Sequence, residues 1–319
     1  MNVALFYLPD VKYGGWPTYT AHLYHGLLDA GYKPMLFKIG NRTEPNTRAW
    51  GRKIRYKNLS LQDAANIALM MPTIITATNM KYEKETELLV NAGAKVVIHD
   101  PTELKGSIVE ILKDCKDVIT IRPINVINLE KKDIESRYVP HPYKRYAGRF
   151  YNKSKWAASF SRIDWDKGTH HIVSANEKLE KNKQIDIYGA PNRLYTFHKL
   201  PSGWEEKYYK GTFTADSLWE GAKIASKYEW AVDMSTISGD GGGTQYTFLE
   251  AIDAKAGLLL NSGWITGRND DELLENATFV KPEELHMALE SKPNIYGTSI
   301  LEKHNAATIA KKTLGKING

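Results

Sequence analysis

A chain of 319 residues is long enough for two domains of ordinary size, each with its own core, and would make a single domain of unusual size. Its 42% hydrophobic and 25% charged residues are those of a soluble globular protein, no apolar run approaches the ~20 residues that span a bilayer, and the single Cys115 allows neither an intrachain disulfide nor a cysteine metal site. The net charge of +6 suits a polyanionic partner or an anionic surface without choosing between nucleic acid and membrane.

The opening Met1-Asn-Val-Ala-Leu-Phe-Tyr-Leu has no basic stretch ahead of its apolar one and reads as a strand over 2–8, so no signal peptide is indicated and a cytoplasmic location is expected. A loop with Gly14-Gly15 follows. Pro17 then opens a helix whose Leu23, Leu27 and Leu28 form one buried face and which Gly31 stops. With a strand at 33–39 this is a βαβ start, its glycine loop at the strand's carboxyl end, where open α/β sheets bind ligands. Helices near 60–69, 81–92 and 107–114 alternate with strands at 73–77, 95–99, 117–121 and 138–139. Such alternation predicts a parallel, doubly wound sheet.

Pro140-His-Pro-Tyr-Lys-Arg-Tyr-Ala-Gly breaks the pattern and reads as a linker. A second α/β series then runs through strands at 156–160, 185–188, 230–233 and 257–260, with helices near 167–179, 203–209, 218–228 and 282–289 and one beginning at Tyr246. The predicted organisation is two Rossmann-like domains, 1–145 and 146–298, facing across a cleft. A final helix at 299–314, in a terminal segment 299–319, has apolar positions able to pack back on the first domain.

Two loops of the second half carry chemistry. Ser238-Gly-Asp240-Gly-Gly242-Gly243-Thr244 leads into an amphipathic helix, which places exposed amides at a helix N-terminus, an arrangement that favours phosphate or sugar-phosphate. Ser161-Arg162-Ile-Asp-Trp-Asp-Lys167-Gly168 follows the half's first strand, and its guanidinium and ammonium together can neutralise a departing diphosphate. Arg162 and Lys167 can also be solvated loop charges, but two cations beside a helix N-terminus, in the same half as the glycine loop, favour the functional reading. His99, at the end of a buried strand, fits a substrate contact and a structural hydrogen bond about equally well. His170-His171 sit at adjacent helical positions, which do not point at one ion, and no metal-ligand pattern or G-x-S-x-G elbow stands out.

Gly14-Gly15, the Arg162…Lys167-Gly168 loop and the glycine-rich loop leading to Leu249-Glu250-Ala251 resemble, in this order, the retaining GT-B glycosyltransferases that use nucleotide sugars. Within that family the chain looks most like the T-even phage DNA α-glucosyltransferases, through Arg162-x-x-Trp165-x-Lys167-Gly168 and Tyr246-Thr-Phe-Leu-Glu250. The resemblance implies a GT-B fold and a UDP-sugar, expected to be UDP-glucose, as co-substrate with no other cofactor and no divalent ion required. It assigns the donor ribose to Glu250, the diphosphate to Arg162 and Lys167, and phosphate or sugar to Gly14 and Gly15 from the opposite wall. His99 would contact the transferred sugar, and the amides of Gly242, Gly243 and Thr244 its hydroxyls or the phosphates. One departure bears on sugar identity: the family's second glutamate, eight positions before the helix glutamate, falls here on Gly242, with Asp240 a substitute from two residues further back.

The acceptor is read from two stretches that interleave bases with aromatics. Arg48, Arg52, Lys53 and Arg55 lie around Trp50 and Tyr56, and the 143–156 segment alternates lysines and arginines with tyrosine, phenylalanine and tryptophan. Cations can track phosphates while an aromatic stacks on a displaced base, which makes a hydroxymethylated pyrimidine in DNA the leading acceptor. For each stretch alone, a solvated loop or a hinge is the simpler reading. A lipid-linked or polysaccharide acceptor at an anionic surface and a catalytically silent sugar-nucleotide or nucleic-acid binding protein stay open.

Overall fold

The computed structural model describes residues 1–10, 14–40, 54–191, 198–212, 218–236, 242–265, 271–295 and 297–315, the side chains of Thr102 and Asp271 excepted. The first half builds a parallel sheet from β1 (Asn2–Tyr7), β2 (Lys33–Ile39), β3 (Tyr56–Leu59), β4 (Thr73–Ala77), β5 (Lys95–Ile98), β6 (Val118–Thr120) and β7 (Ser136–Tyr138), in the order β3-β2-β1-β4-β5-β6-β7. Its helices are α1 (Gly15–Asp29), α2 (Leu61–Met70), α3 (Glu83–Asn91), α4 (Ser107–Lys113) and α5 (Pro123–Glu130). The second half repeats the plan with β8 (Lys155–Ser159), β9 (Ile185–Tyr188), β10 (Tyr209–Gly211), β11 (Tyr228–Asp233), β12 (Gly257–Asn261) and β13 (Thr278–Val280), in the order β10-β9-β8-β11-β12-β13. Around it lie α6 (Thr169–Asn176), α7 (Trp204–Tyr208), α8 (Glu220–Ala225), α9 (Tyr246–Asp253), α10 (Asp271–Leu274) and α11 (Leu285–Ala288). The chain ends in α12 (Ser299–Lys303) and α13 (Ala306–Leu314).

Both sheets are doubly wound, and each reverses its winding beside its first strand: at β1/β4 in one half, at β8/β11 in the other. Loops that leave these strands splay apart at their carboxyl ends and open a crevice there, the place where such sheets hold ligands. The central strands read as apolar runs because helices cover both faces; every residue from Val3 to Leu8 is fully buried.

Short edge elements differ from the sequence expectation. Tyr56-Lys-Asn-Leu59, Tyr209-Lys-Gly211 and Thr278-Phe-Val280 are edge strands of three or four residues, too short to show a pattern and held by pairing on one side only. The helix expected over 218–228 shortens to α8, and Tyr228 already belongs to β11. α5 was not expected: its Ile-Asn-Val-Ile run lacks helical spacing, and Pro123 at its first position supplies the start. The single helix expected over 299–314 is two. The Asn305 side chain accepts from the Thr308 amide and starts α13 afresh, while Tyr143 of the linker donates to the His304 carbonyl at 2.7 Å and accepts from the Ala306 amide at 3.1 Å.

One apolar cluster runs from Leu5, Leu27 and Tyr143 through Phe248 and Leu260 to Ile309, joining the halves, and each half adds a second cluster of its own. α13 lies on α1, close enough that a Cβ at Gly26 would stand 2.2 Å from the Ala306 carbonyl oxygen. Gly26→Ala gains roughly 1 kcal/mol of helix propensity. The clash outweighs it, and we expect a net loss of about 1–3 kcal/mol in urea denaturation.

Candidate active site

The basic loop is built from backbone outward. Gly168 is left-handed (φ 64°), and a Cβ there would stand 2.3 Å from the Met234 carbonyl oxygen, so both the turn and the packing demand glycine. The loop is laced to the neighbouring strand ends. Ser161 Oγ donates to Asp233, the Thr236 amide donates to the Asp166 carbonyl at 2.9 Å, and the Ile163 amide to the Ala190 carbonyl at 3.0 Å. Arg162 and Lys167 are thereby fixed at the switch point between β8 and β11, immediately before α6. Arg162 keeps 48% of its side chain exposed and meets Asp166 at 3.2 Å.

The glycine-rich loop is gripped from the opposite half. Arg122, at the carboxyl end of β6 and almost wholly buried, donates from one guanidinium nitrogen to the carbonyls of Gly242 and Thr244, the latter at 2.9 Å. Its Nε lies 4.0 Å from Asp100, the residue after His99. Trp264 Nε1 donates to the Gly243 carbonyl at 3.2 Å, and Thr244 bonds Glu272, which His304 meets at 3.2 Å. Gly242 and Gly243 both take positive φ (77° and 79°), which lets successive carbonyls turn towards these donors. The loop is therefore shaped by residues from both halves. Arg122 was not singled out in the sequence; its one signal is a cation where a buried apolar strand stops, in Ile119-Thr-Ile-Arg122-Pro.

α9 starts directly behind this loop and faces the first half. Tyr246 stacks on His22 of α1 (4.9 Å between centroids, 5° between planes), meets His141 edge-on, and donates to the Pro142 carbonyl at 3.2 Å. Asp253, at the far end of α9, receives Tyr143 Oη, Arg145 and the Tyr146 amide. Glu250 lies between, half-buried, its carboxylate against Gly221 at the start of α8, where a Cβ would come within 2.1 Å of Oε2. Burial, with a smaller push from Asp253, raises the Glu250 carboxyl to about 8.

His99 does not open into the cleft as expected. It is 3% exposed, wedged edge-on against Tyr19, with Nε2 2.7 Å from the Thr76 carbonyl. A carbonyl can only accept, so Nε2 carries the proton. Burial, opposed by the Thr76 carbonyl and helped by Arg122, brings the imidazole down to about 4, so at neutral pH the ring is uncharged with Nδ1 as its acceptor. Glu103 braces the same corner: its carboxylate accepts from the His99 amide and from Trp16 Nε1, both at 2.8 Å. Gly14 and Gly15 precede Trp16, Gly14 capping α1 at φ 108°.

The remaining candidates divide. Asp240, Arg48, Arg52 and Lys53 lie outside the described residues, and Arg55 is exposed just before β3. The 143–156 segment is the hinge: Lys144 pairs with Asp29, Arg145 with Asp253 and Glu302, Lys155 with Asp186, and Lys153 donates to the Tyr228 carbonyl. These cations serve the protein's own acceptors. His170 and His171 lie on α6, and no cluster of His, Cys, Asp or Glu suited to a metal ion occurs among the described residues. Cys115 is half-buried between the Ala94 and Asp117 carbonyls.

Two outcomes follow from this geometry. Arg122→Met leaves buried carbonyls without a donor and is expected to cost about 1–3 kcal/mol in chemical denaturation, with Arg122→Lys in between. In the unfolded chain Glu250 ionises near ~4.3, whereas folded it holds its proton to about 8. Between those values the folded state binds more protons, so the group's contribution to stability falls as pH rises through this window; Glu250→Gln should flatten that slope in denaturation curves measured across it.

No family model matches the chain, and no curated protein matches it. Solved structures do. HepE of Anabaena in complex with UDP superposes with a TM-score of 0.67 at 12% identity, over 98% of this chain and 94% of that one. The T4 α-glucosyltransferase in complex with UDP and a 13-mer DNA containing an HMU base gives 0.68 at 12% identity, over 98% and 95%. The pneumococcal O-GlcNAc transferase GtfA in complex with UDP and GlcNAc gives 0.66 at 9% identity, over 99% and 97%. The two doubly wound halves, their facing strand ends and these superpositions together make the fold of this chain GT-B.

Proposed function

We propose that the protein is a retaining glycosyltransferase that moves a hexose, glucose in the leading reading, from a UDP-sugar to a hydroxyl acceptor, with hydroxymethylated pyrimidine in DNA the favoured acceptor. The observation that carries the reading is that two loops leave the carboxyl ends of the adjacent strands β8 and β11: the Arg162–Lys167 loop, and the loop to α9 whose Gly242 and Thr244 carbonyls Arg122 pins from the opposite half. The UDP and UDP-sugar complexes of proteins with this fold support the donor. The DNA complex of one of them supports the acceptor.

In this reading the acceptor oxygen attacks the anomeric carbon from the face the diphosphate leaves. The bond from that carbon to the β-phosphate oxygen breaks as the new glycosidic bond forms, and the hydroxyl proton passes to the departing phosphate. Arg162 and Lys167 stabilise the charge that gathers on UDP, a contribution made in the transition state and so felt in turnover. Glu250 takes the ribose hydroxyls, while His99, buried against Tyr19 and the Thr76 carbonyl, supports the cleft wall from behind. The pairing of Lys144, Arg145 and Lys155 with the protein's own carboxylates favours a second reading, transfer to a polysaccharide or lipid-linked acceptor, since it engages cations of one of the two stretches that would track phosphates.

Incubation of UDP-glucose with hydroxymethylated DNA, unmodified DNA and lipid or glycan acceptors separates the readings, and tight UDP binding with no turnover would point to a silent binder. Arg162→Ala should lower turnover by about 10²-fold or more, with an unchanged melting temperature, because the side chain is half exposed and its contact is with Asp166. Full activity in that variant removes the leaving-group role.

A further inference from the structure

Glu250, given the donor ribose in the reading above, is seated by packing rather than by hydrogen bonds. Among the described residues no hydrogen bond holds its carboxylate, on which burial and the charge of Asp253 act. The carboxylate fills a gap beside Gly221, in the first turn of α8. A Cβ built on Gly221 would stand 2.1 Å from Oε2, 2.5 Å from Cδ and 2.8 Å from Oε1 of Glu250. Side chain and Cβ cannot share this space.

The backbone gives no reason for glycine at this place. Gly221 lies within a helix and is not among the glycines of positive φ, and alanine is the better helix former. At Gly26, Gly168 and Gly189 the first obstacle to a Cβ is a backbone carbonyl oxygen; at Gly221 it is the far end of a side chain. Neither helix is free to draw back. Trp219, just ahead of Gly221 and Glu220, donates from Nε1 to the Lys144 carbonyl at 2.8 Å, and Ala222 and Ala225 are buried. α9 is held by the stack of Tyr246 on His22 and by the bonds that Asp253 receives. A methyl group on residue 221 therefore displaces the Glu250 carboxylate and leaves both helices where they are.

We propose that Gly221 is a positioning residue of the donor site: its missing side chain sets where the Glu250 carboxylate sits, and through it how strictly the ribose hydroxyls of the nucleotide are recognised. The inference rests on the assignment of Glu250 to the ribose and adds the residue that fixes its reach. Removal of a hydroxyl from the ligand leaves the carboxylate without that partner, and displacement of the carboxylate leaves the hydroxyls without theirs. Discrimination between ribose and deoxyribose is therefore the property that a side chain on residue 221 erodes.

The test is equilibrium binding of UDP, 2′-deoxy-UDP and 3′-deoxy-UDP to the full chain by titration calorimetry, which needs no acceptor. UDP should bind more tightly than the weaker deoxy analogue by about fivefold or more, the scale of one buried partner left unsatisfied. Gly221→Ala should bring that ratio towards one with a melting temperature equal to or above that of the wild type; taking the ratio within each protein cancels differences in folding. Added to Glu250→Ala, the same change should alter neither the ratio nor the UDP affinity, because the colliding carboxylate is gone. An unchanged ratio in Gly221→Ala, or a further loss of UDP affinity when it is added to Glu250→Ala, overturns the inference. So does a Gly221→Ala protein that fails to fold, since the backbone and not the carboxylate is then the obstacle. A wild-type protein that binds all three nucleotides alike overturns the assignment of Glu250 to the ribose and the inference with it, and one that binds none of them takes down the UDP-sugar reading as well.

Discussion

The hydrogen bonds from Arg122 to the Gly242 and Thr244 carbonyls are the constraint on which the site depends. Each half alone has a switch-point crevice, but Gly242 and Gly243 by themselves favour no one backbone shape beside it. A buried guanidinium from the opposite sheet imposes one, and Asp100 nearby balances its charge. Trp264 and the Glu272–His304 pair complete the grip from the loop's own side and from the chain's last segment. Glycine-loop geometry and domain arrangement are thus one property: Arg122 reaches the Gly242 and Thr244 carbonyls only with the two halves in this arrangement.

The architecture was legible wherever burial imposes a pattern. β1, β4, β5 and β12 are covered on both faces and stand out as apolar runs, and the alternation with helices named a doubly wound sheet in each half. The edge strands β3, β10 and β13 were not legible because segments of three or four residues paired on one side carry no run to read, whereas the edge strand β7 overlaps the strand expected at 138–139. The break at Asn305 was missed because the apolar spacing continues on both sides of it; what interrupts the helix is pairing with Tyr143, more than 150 residues earlier, which no local pattern records.

The site was legible as motifs and less so as contacts. Gly168 and the Gly242–Gly243 pair have the φ values that only glycine adopts easily, so their presence in the sequence already spoke of turns. His99 was readable as a residue at a strand end, but its direction was set by the Thr76 carbonyl on the neighbouring strand, which no spacing reveals. The 143–156 segment could be read as a hinge or as a nucleic-acid strip because composition does not disclose partners; Asp29, Asp186 and Asp253 come from three distant elements. Arg122 escaped for the same reason, its partners being backbone carbonyls of the other half.

The chain crosses between its halves twice, once through the linker and once on its return to α12 and α13, and the two crossings touch where Tyr143 pairs with Asn305. Two separate tethers would let the lobes slide as well as swing. Two segments bonded side by side at this bridge behave as a single doubled pivot, so the lobes can rock about one line, opening and closing the mouth between them, while shear along that line is resisted. Widening of the mouth then calls for rotation alone, with the aromatic stack of His22 on Tyr246 lying next to the axis, where the displacement is least.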